Sequence, residues 1–519
     1  MSEMFDTVRI TKPSYLEDES KMKGMAGNVI LPFEEGELRD ALRFANSAHT
    51  KVTVRGMGTG LCGGAVPMGG DVISLERMTG IVGVGVDEEG YFLKVQPCTT
   101  IREINDLLMN RAFDNLKDIT PGAVESLRSE PVPYIYPVDP TELGGSIGGN
   151  IATNASGPRT YRYGPTRDWV RSMRVVLPDG NFIILRRGDY RAEGRRMSFP
   201  SGRNYYSFEL PDYDFNTTVK NTAGPMISED MDLMDLFIGS EGIFGIITEA
   251  DIRIISWNPH ISNLVFFPSD EDALAAVREL KGDHLVCPEF LEYMDCRSLD
   301  LLRGVMASDP ALIRAPMLPE DAGSALFFDI EVTDDMEGRF ARLSEILTRH
   351  NSSLDRSWCG HERGDMERLR ELRHSIPRSI FEYVASLRGE MLGIHKMGTD
   401  MSVPDDSADE MMSYYYRRLQ EEELPFVVFG HIGDNHPHVE IILRSMEDFE
   451  GAKVLYAEFA AKAVELGGSP SAEHGIGKIK TDYMRMMYGK ETVDALRRVK
   501  GILDPNGILN IGDILEELE

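Results

Sequence analysis

The sequence predicts an α+β protein of more than one domain, and three observations carry that expectation. The chain has 519 residues, more than one ordinary hydrophobic core organises. Up to Pro259, short strand patterns alternate with glycine-dense loops. After Pro259, helical and strand patterns of ordinary length alternate, as in a second α+β unit with its own sheet. The expected boundaries are an N-terminal arm over 1–25, a first domain over 26–259, a second over 260–468 and a C-terminal segment over 469–519.

The elements follow in order. The arm is mixed and polar. Leu38, Leu42 and Ala45 share one face of a helix over 37–49, with Arg39, Asp40, Arg43 and Asn46 opposite. Val52 and Val54 mark a short strand, and further strands are expected over 71–75 and 91–95, with an amphipathic helix over 101–110. The turn Pro178-Asp179-Gly180 joins strands over 172–177 and 181–186. Residues 189–230 are irregular, aromatic and proline-bearing, and read as a long excursion. A glycine turn and strand return over 239–255. In the second domain, strands are expected over 263–267, 325–332, 391–396, 426–431 and 438–443. Helices are expected there over 270–280, 336–350, 361–388 and 447–466. No internal repeat is present.

Composition excludes several function classes. The net charge of −30 repels nucleic-acid phosphates and anionic lipid headgroups, so no nucleic-acid partner is expected. No stretch approaches the ~20 apolar residues of a membrane helix, and the N-terminus lacks a signal-peptide core. Cys62, Cys98, Cys287, Cys296 and Cys359 are odd in number and scattered, without CxxC, which fits a reducing compartment and no cluster of the chain's own. The expectation is a cytoplasmic protein, with a peripheral position at the inner membrane and a homodimer both left open.

Chemistry concentrates in the glycine loops. A tight turn needs one glycine, yet RGMGTGLCGG over 55–64 carries Gly56, Gly58, Gly60, Gly63 and Gly64. Such a loop lets backbone amides approach a ligand closely and cradle phosphate. The spacing is not GxGxxG, and a strand rather than a helix follows, which disfavours a Rossmann site. VRGMGTGLCGG with DVISLERMTGI, then GGSIGGNIATNASGPRTYRYGPTRDWV over 144–170, then GSEGIFGIITE, resemble in order the three FAD-binding segments of the vanillyl-alcohol-oxidase/p-cresol-methylhydroxylase family. The resemblance runs over roughly 30–515, and the branch it points to oxidises D-2-hydroxy acids such as D-lactate, glycolate or D-2-hydroxyglutarate. It implies a PCMH-type FAD-binding domain of two α/β subdomains, followed by an α+β substrate or cap domain with an antiparallel sheet and a tail that returns to the flavin. It implies that Arg55, Gly56, Gly58, Thr59, Gly60, Gly63 and Gly64 line the pyrophosphate. Pro137, Asp139, Ser146, Gly149, Asn150, Asn154 and Tyr163 would approach the flavin or ribityl chain, with Glu241, Gly242 and Ile247 on the adenine side. Ala65 stands where some members carry a flavin-linking histidine, so non-covalent FAD is expected.

The second concentration is FGHIGDNHPHVEI. Three histidines within eight residues, His431, His436 and His438, beside Asp434 and Glu440, favour a metal site over isolated imidazoles. If 426–431 and 438–443 form a hairpin, His431 and His438 can face each other, and Glu440 shares the face of His438. His436 has the same parity but falls in the expected turn beside Pro437, which leaves its direction open. The family resemblance of HIGDNHPH and of SPSAEHGIGK implies His431, His438 and Glu473 as ligands of a divalent metal (Zn, Mn or Fe) and His474 as base. It implies a substrate cation at Arg373, whose bland reading is a solvated helix charge, and another at Lys396. The set suits R–CHOH–COO⁻, in which a metal orients the oxygens, a histidine takes the hydroxyl proton and a cation holds the carboxylate.

The chain also departs from its relatives. It reads GDNHPH where they read GDGNLH, and Glu440 stands where they carry Asn near the substrate. That carboxylate would repel a substrate carboxylate unless Lys396 or the metal neutralises it, or it is itself a ligand. The expected partners are a small 2-hydroxy acid and a separate electron acceptor, either an electron-transfer flavoprotein, an iron–sulfur subunit or a quinone. The rival readings are an ether-lipid (alkylglycerone-phosphate) synthase using FAD without net redox change, a zinc hydrolase, and a flavin module without substrate chemistry.

Overall fold

The computed structural model describes residues 7–9, 13–306, 309, 312, 315, 317–387 and 396–516. The strand expected over 391–396 lies, except for Lys396, outside the described residues.

Two sheets build the first part. In one, Asn28–Ile30 and Val52–Arg55 both pair in parallel with Asp71–Ser74, and Thr7–Arg9 adds an antiparallel edge. Helix Glu35–Ala48 crosses over between the outer two of those parallel strands. Its i, i+3, i+4, i+7 set Leu38, Ala41, Leu42 and Ala45 is buried against Ile30, Val52 and Ile73. The other sheet runs Phe182–Arg186, Val170–Val176, Ile246–Arg253, Gly90–Val95, Ile81–Asp87 and Asp118–Ile119. Helix Ile101–Met109 opens with a capping box between Thr100 and Glu103.

The excursion is less irregular than its composition suggests. Arg196–Ser201 and Asn204–Glu209 form a hairpin closed at Gly202. Met197, Phe199, Tyr206 and Phe208 point inward while Pro200 lies exposed, so period-two patterning holds and the proline is tolerated in an isolated two-stranded sheet.

The second part is a seven-stranded antiparallel sheet in the order Ser357–Gly360, His260–Phe267, Ser324–Glu331, Glu292–Met294, Phe426–His431, His436–Ile441, Met397–Gly398. Both faces are covered. Val265, Phe267, Leu326 and Phe328 meet helices Asp270–Lys281, Met336–Arg349, Ala408–Glu421 and Met446–Glu465. The alternate residues Leu264, Phe266, Ala325 and Phe327 meet Cys296–Val305 and the long helix Arg363–Leu387. Helix Lys490–Leu503 then buries Val493, Leu496, Val499 and Leu503 in the core of the first part, and Leu509 forms a parallel bridge to Val52.

Candidate active site

A cleft opens between the glycine segments. Gly56, Gly58, Thr59, Gly60, Gly64, Ser146, Gly149, Asn150, Glu241, Gly242 and Ile247 line it, together with Ala65, Cys62, Gly148, Asn510 and His474. Gly148 is dictated by close approach, because a Cβ there would lie 2.8 Å from the Pro97 side chain and 2.9 Å from its carbonyl oxygen. Gly58 takes φ +70 directly over the Arg55 guanidinium. A glycine-walled cleft bordered by backbone rather than bulk suits the close approach of a dinucleotide such as FAD.

Six residues of the expected flavin set lie outside the lining, each for a local reason. Arg55 folds beneath its own loop, and its Nη1 donates to the Glu17 carbonyl at 2.8 Å. Gly63 faces Met22. Pro137 is buried between the core residues Tyr136 and Val138. The Asp139 carboxylate accepts from the Arg159 amide at 2.9 Å. Asn154 ends a helix in the left-handed region and accepts from the Arg167 amide at 3.0 Å. The Tyr163 hydroxyl donates to Glu289 at 2.5 Å.

Beside the cleft, His431, His436, His438 and Glu473 bring one donor atom each within 4.8 Å of one another. The hairpin register differs from the expected one. His431 pairs with His436 and Phe429 with His438, because Asn435 turns the chain in the left-handed region and the second strand starts at His436 rather than His438. His436 is therefore a strand residue aimed at the cluster, not a turn residue. Glu473 Oε2 lies 3.3 Å from His431 Nε2, and Oε1 lies 3.3 Å from His438 Nε2. Buried His431 Nε2 and His436 Nδ1 have no hydrogen-bond partner, so the donor set fits a metal ion rather than an internally satisfied polar core.

Carboxylates that the sequence reading missed organise this cluster. Glu292 accepts from His431 Nδ1 and, through its other oxygen, from Arg373 Nε at 2.6 Å. Asp400 accepts from the Glu473 and His474 amides at 3.0 and 3.2 Å and from Lys480 at 2.5 Å, and it faces His436 Nε2 at 3.2 Å. Buried Lys220, from the excursion, donates to Glu473 at 2.8 Å. Burial opposes the charge on Glu473, but Lys220 and His431 outweigh it and hold the carboxyl well below its usual range. Burial likewise opposes Asp400, and His474 and Lys480 hold it ionised. Burial and Lys220 lower His431, yet Glu292 and Glu473 raise it to about 9, whereas burial pushes His436 down to about 3. Glu292 carried one signal in the sequence, an acid inside the apolar run FLEYM; Lys220 and Asp400 carried none.

The expected cations are already committed. Arg373 is buried against Glu292 rather than solvated, and Lys396 is paired with Glu440 at 2.5 Å. Glu440 is thus neutralised by Lys396 and lies outside the four-donor group. His474 faces Glu473 and Asp400 at 3.4 and 3.5 Å, and its ring stacks on His438 with centroids 6.0 Å apart. Its loop is clasped from the other side, where Glu241 accepts from the Ile476 and Gly477 amides at 2.6 and 2.9 Å. Cys62 joins the same seam by donating to the Gly475 carbonyl. Among the described residues no helix is long and apolar enough to cross a membrane.

Residues 260–514 match the family of FAD linked oxidases, C-terminal domain, and residues 26–186 match the FAD binding domain family. The chain is 29% identical to a D-lactate dehydrogenase of Anaerostipes hadrus over 93% of its length and 88% of that protein. It is 27% identical to glycolate oxidase subunit GlcD of Bacillus subtilis over 98% of its length and 93% of that protein. A D-2-hydroxyglutarate dehydrogenase of Xanthomonas citri pv. viticola is 26% identical over 94% of this chain and 89% of that protein. Alkyldihydroxyacetonephosphate synthase shares the fold, with a TM-score of 0.60 and 16% identity over 94% of this chain and 76% of that one.

Proposed function

Because the chain belongs to the FAD-linked oxidase family and is an FAD-dependent oxidoreductase, we propose that it oxidises a D-2-hydroxy acid to the 2-oxo acid with the help of a divalent metal. The observation that carries this reading is the convergence of three imidazoles and Glu473 beside His474, which also lines the glycine-walled cleft. The relatives named for D-lactate, glycolate and D-2-hydroxyglutarate support that substrate class. The FAD, held without a covalent bond beside Ala65, supplies a hydride acceptor, and a divalent ion such as Zn, Mn or Fe supplies a Lewis acid for the substrate's hydroxyl and carboxylate oxygens.

The chain's own residues do the rest. His431, His438 and Glu473 would hold the ion. His474 takes the substrate hydroxyl proton, and Asp400, which accepts from the His474 amide at 3.2 Å and lies 3.5 Å from its Nδ1, positions it. Glu292 fixes His431 with Nε2 turned to the ion, and Arg373 acts through Glu292 as a positioning residue. The Lys396–Glu440 pair offers a neutral polar edge, leaving the substrate carboxylate to the ion. Electrons then leave to a separate acceptor, an electron-transfer flavoprotein, an iron–sulfur subunit or a quinone.

The test is an anaerobic visible titration of the purified protein with D- and L-2-hydroxy acids. Bleaching of the flavin band by a D-acid, abolished by chelation and restored by metal, is the expected result. A yellow protein that no hydroxy acid bleaches would overturn the substrate class, and a colourless one that cannot be reconstituted with FAD would overturn the whole reading.

A further inference from the structure

Resting on the metal-assisted reading above, we infer that His436 is a fourth protein donor to the same ion, which makes the centre three imidazoles and one carboxylate. The hairpin produces this set directly. His431 closes the first strand, and its cross-strand partner His436 opens the second. His438, two residues on, returns to the same face. The three ring centroids lie 4.7, 5.1 and 5.4 Å apart, which brings one nitrogen of each ring to a common centre.

Each ring has an oxygen behind one nitrogen and presents the other to the centre. Glu292 stands behind His431 Nδ1, the Thr399 carbonyl is 3.2 Å from His438 Nδ1, and Asp400 is 3.2 Å from His436 Nε2. An acceptor behind one ring nitrogen fixes the proton there and leaves the other as a lone-pair donor. Both ring nitrogens of fully buried His436 lack a hydrogen-bond partner; Nε2 lies beside Asp400, and Nδ1, 3.9 Å from Glu473 Oε2, is the one turned to the centre. Asp400 thus lies beside two histidines, 3.2 Å from His436 Nε2 and 3.5 Å from His474 Nδ1, close enough to accept from either ring once an ion draws the opposite nitrogen of His436. Four protein donors and two oxygens of a 2-hydroxy acid make six. That count suits an ion that accepts six donors, such as Mn(II), Fe(II) or Co(II), better than tetrahedral zinc.

Cobalt(II) loading of the full-length, FAD-containing protein tests the assignment by proton magnetic resonance. Each bound imidazole contributes one exchangeable N–H resonance shifted far downfield, and here all three rings are buried with an oxygen near the nitrogen remote from the centre, which protects the N–H from exchange. The expected spectrum has three such resonances, falling to two in His436→Asn, with the cobalt dissociation constant raised at least ~10-fold and flavin content unchanged. Two resonances in the unsubstituted protein, or an unchanged cobalt affinity in His436→Asn, would overturn the fourth donor and leave the proposed reaction standing. A folded, yellow protein that takes up no cobalt, manganese or zinc would overturn both.

Discussion

Replacing Arg373 by methionine separates its two possible roles. Arg373 and Glu292 are paired with side chains only 6% and 2% exposed, and His431 occupies the other Glu292 oxygen. Burial pushes the Glu292 carboxyl up, but Arg373 and His431 together hold it well below the ordinary range. Methionine keeps apolar bulk against the Phe429 ring, over which the guanidinium now lies at 5.2 Å, and deletes the charge. A buried carboxylate that loses one partner costs ~3–5 kcal/mol. For a unit of this size that lowers the melting temperature by roughly 6–20 °C. Glu292→Gln made in the Arg373→Met background removes the stranded charge, so the double variant is more stable than the sum of the singles by ~2–3 kcal/mol. Thermal unfolding followed by circular dichroism and by flavin release reads all four members of the cycle. Additivity within ~0.5 kcal/mol refutes the positioning role. So does an Arg373→Met protein of unchanged melting temperature whose KM for the hydroxy acid rises steeply, because that pattern belongs to a direct substrate clamp.

Three further outcomes are expected. His474→Gln slows flavin reduction by the hydroxy acid ~10²–10⁴-fold while flavin and metal content persist, as stopped-flow absorbance and elemental analysis would record. Gly148→Ala forces a methyl group against the Pro97 backbone and weakens FAD binding at least ~10-fold in flavin-quenching titrations, whereas Gly282→Ala, with nothing within 4 Å, serves as the neutral control. The buried Asp295 carboxyl is pushed up to about 6 by burial, so its contribution to stability is present below pH 3.8 and is lost as pH rises through 6. Asp295→Asn, which keeps an acceptor for the Ser298 amide, should flatten that part of the stability profile and add up to ~3 kcal/mol at pH 7 in urea unfolding.

Much of this was legible where pattern and chemistry coincide. The helix at Glu35–Ala48 announces itself by a single apolar stripe, and the paired strands around 431 by their alternation. His431, His438 and Glu473 converge as their motifs imply. His436 was hidden because its direction depends on where the turn ends, and one residue of register reverses the face a strand residue occupies. Glu292, Asp400 and Lys220 lie 139, 31 and 211 positions from His431 in the chain, so only tertiary closure reveals them. The same closure consumes Arg373 and Lys396, whose charges looked free in sequence but meet acids that no local pattern pairs with them.

The core of the first part is completed by Val493, Leu496, Ile508 and Leu509, whereas among the described residues the fully buried core of the seven-stranded sheet and its helices lies between 260 and 465, with Tyr161, Leu466, Tyr483 and Met486 packed on its edge. On the ribosome the order of maturation is therefore reversed. The unit encoded first waits for Ile508 and Leu509, roughly 250 residues or about 12–50 s of synthesis after its own last strands are made, and the unit encoded second is synthesised within that interval. During that interval the apolar face of helix Glu35–Ala48 and its sheet lack their last cover, so the first part reaches its native packing only when the C-terminal segment arrives.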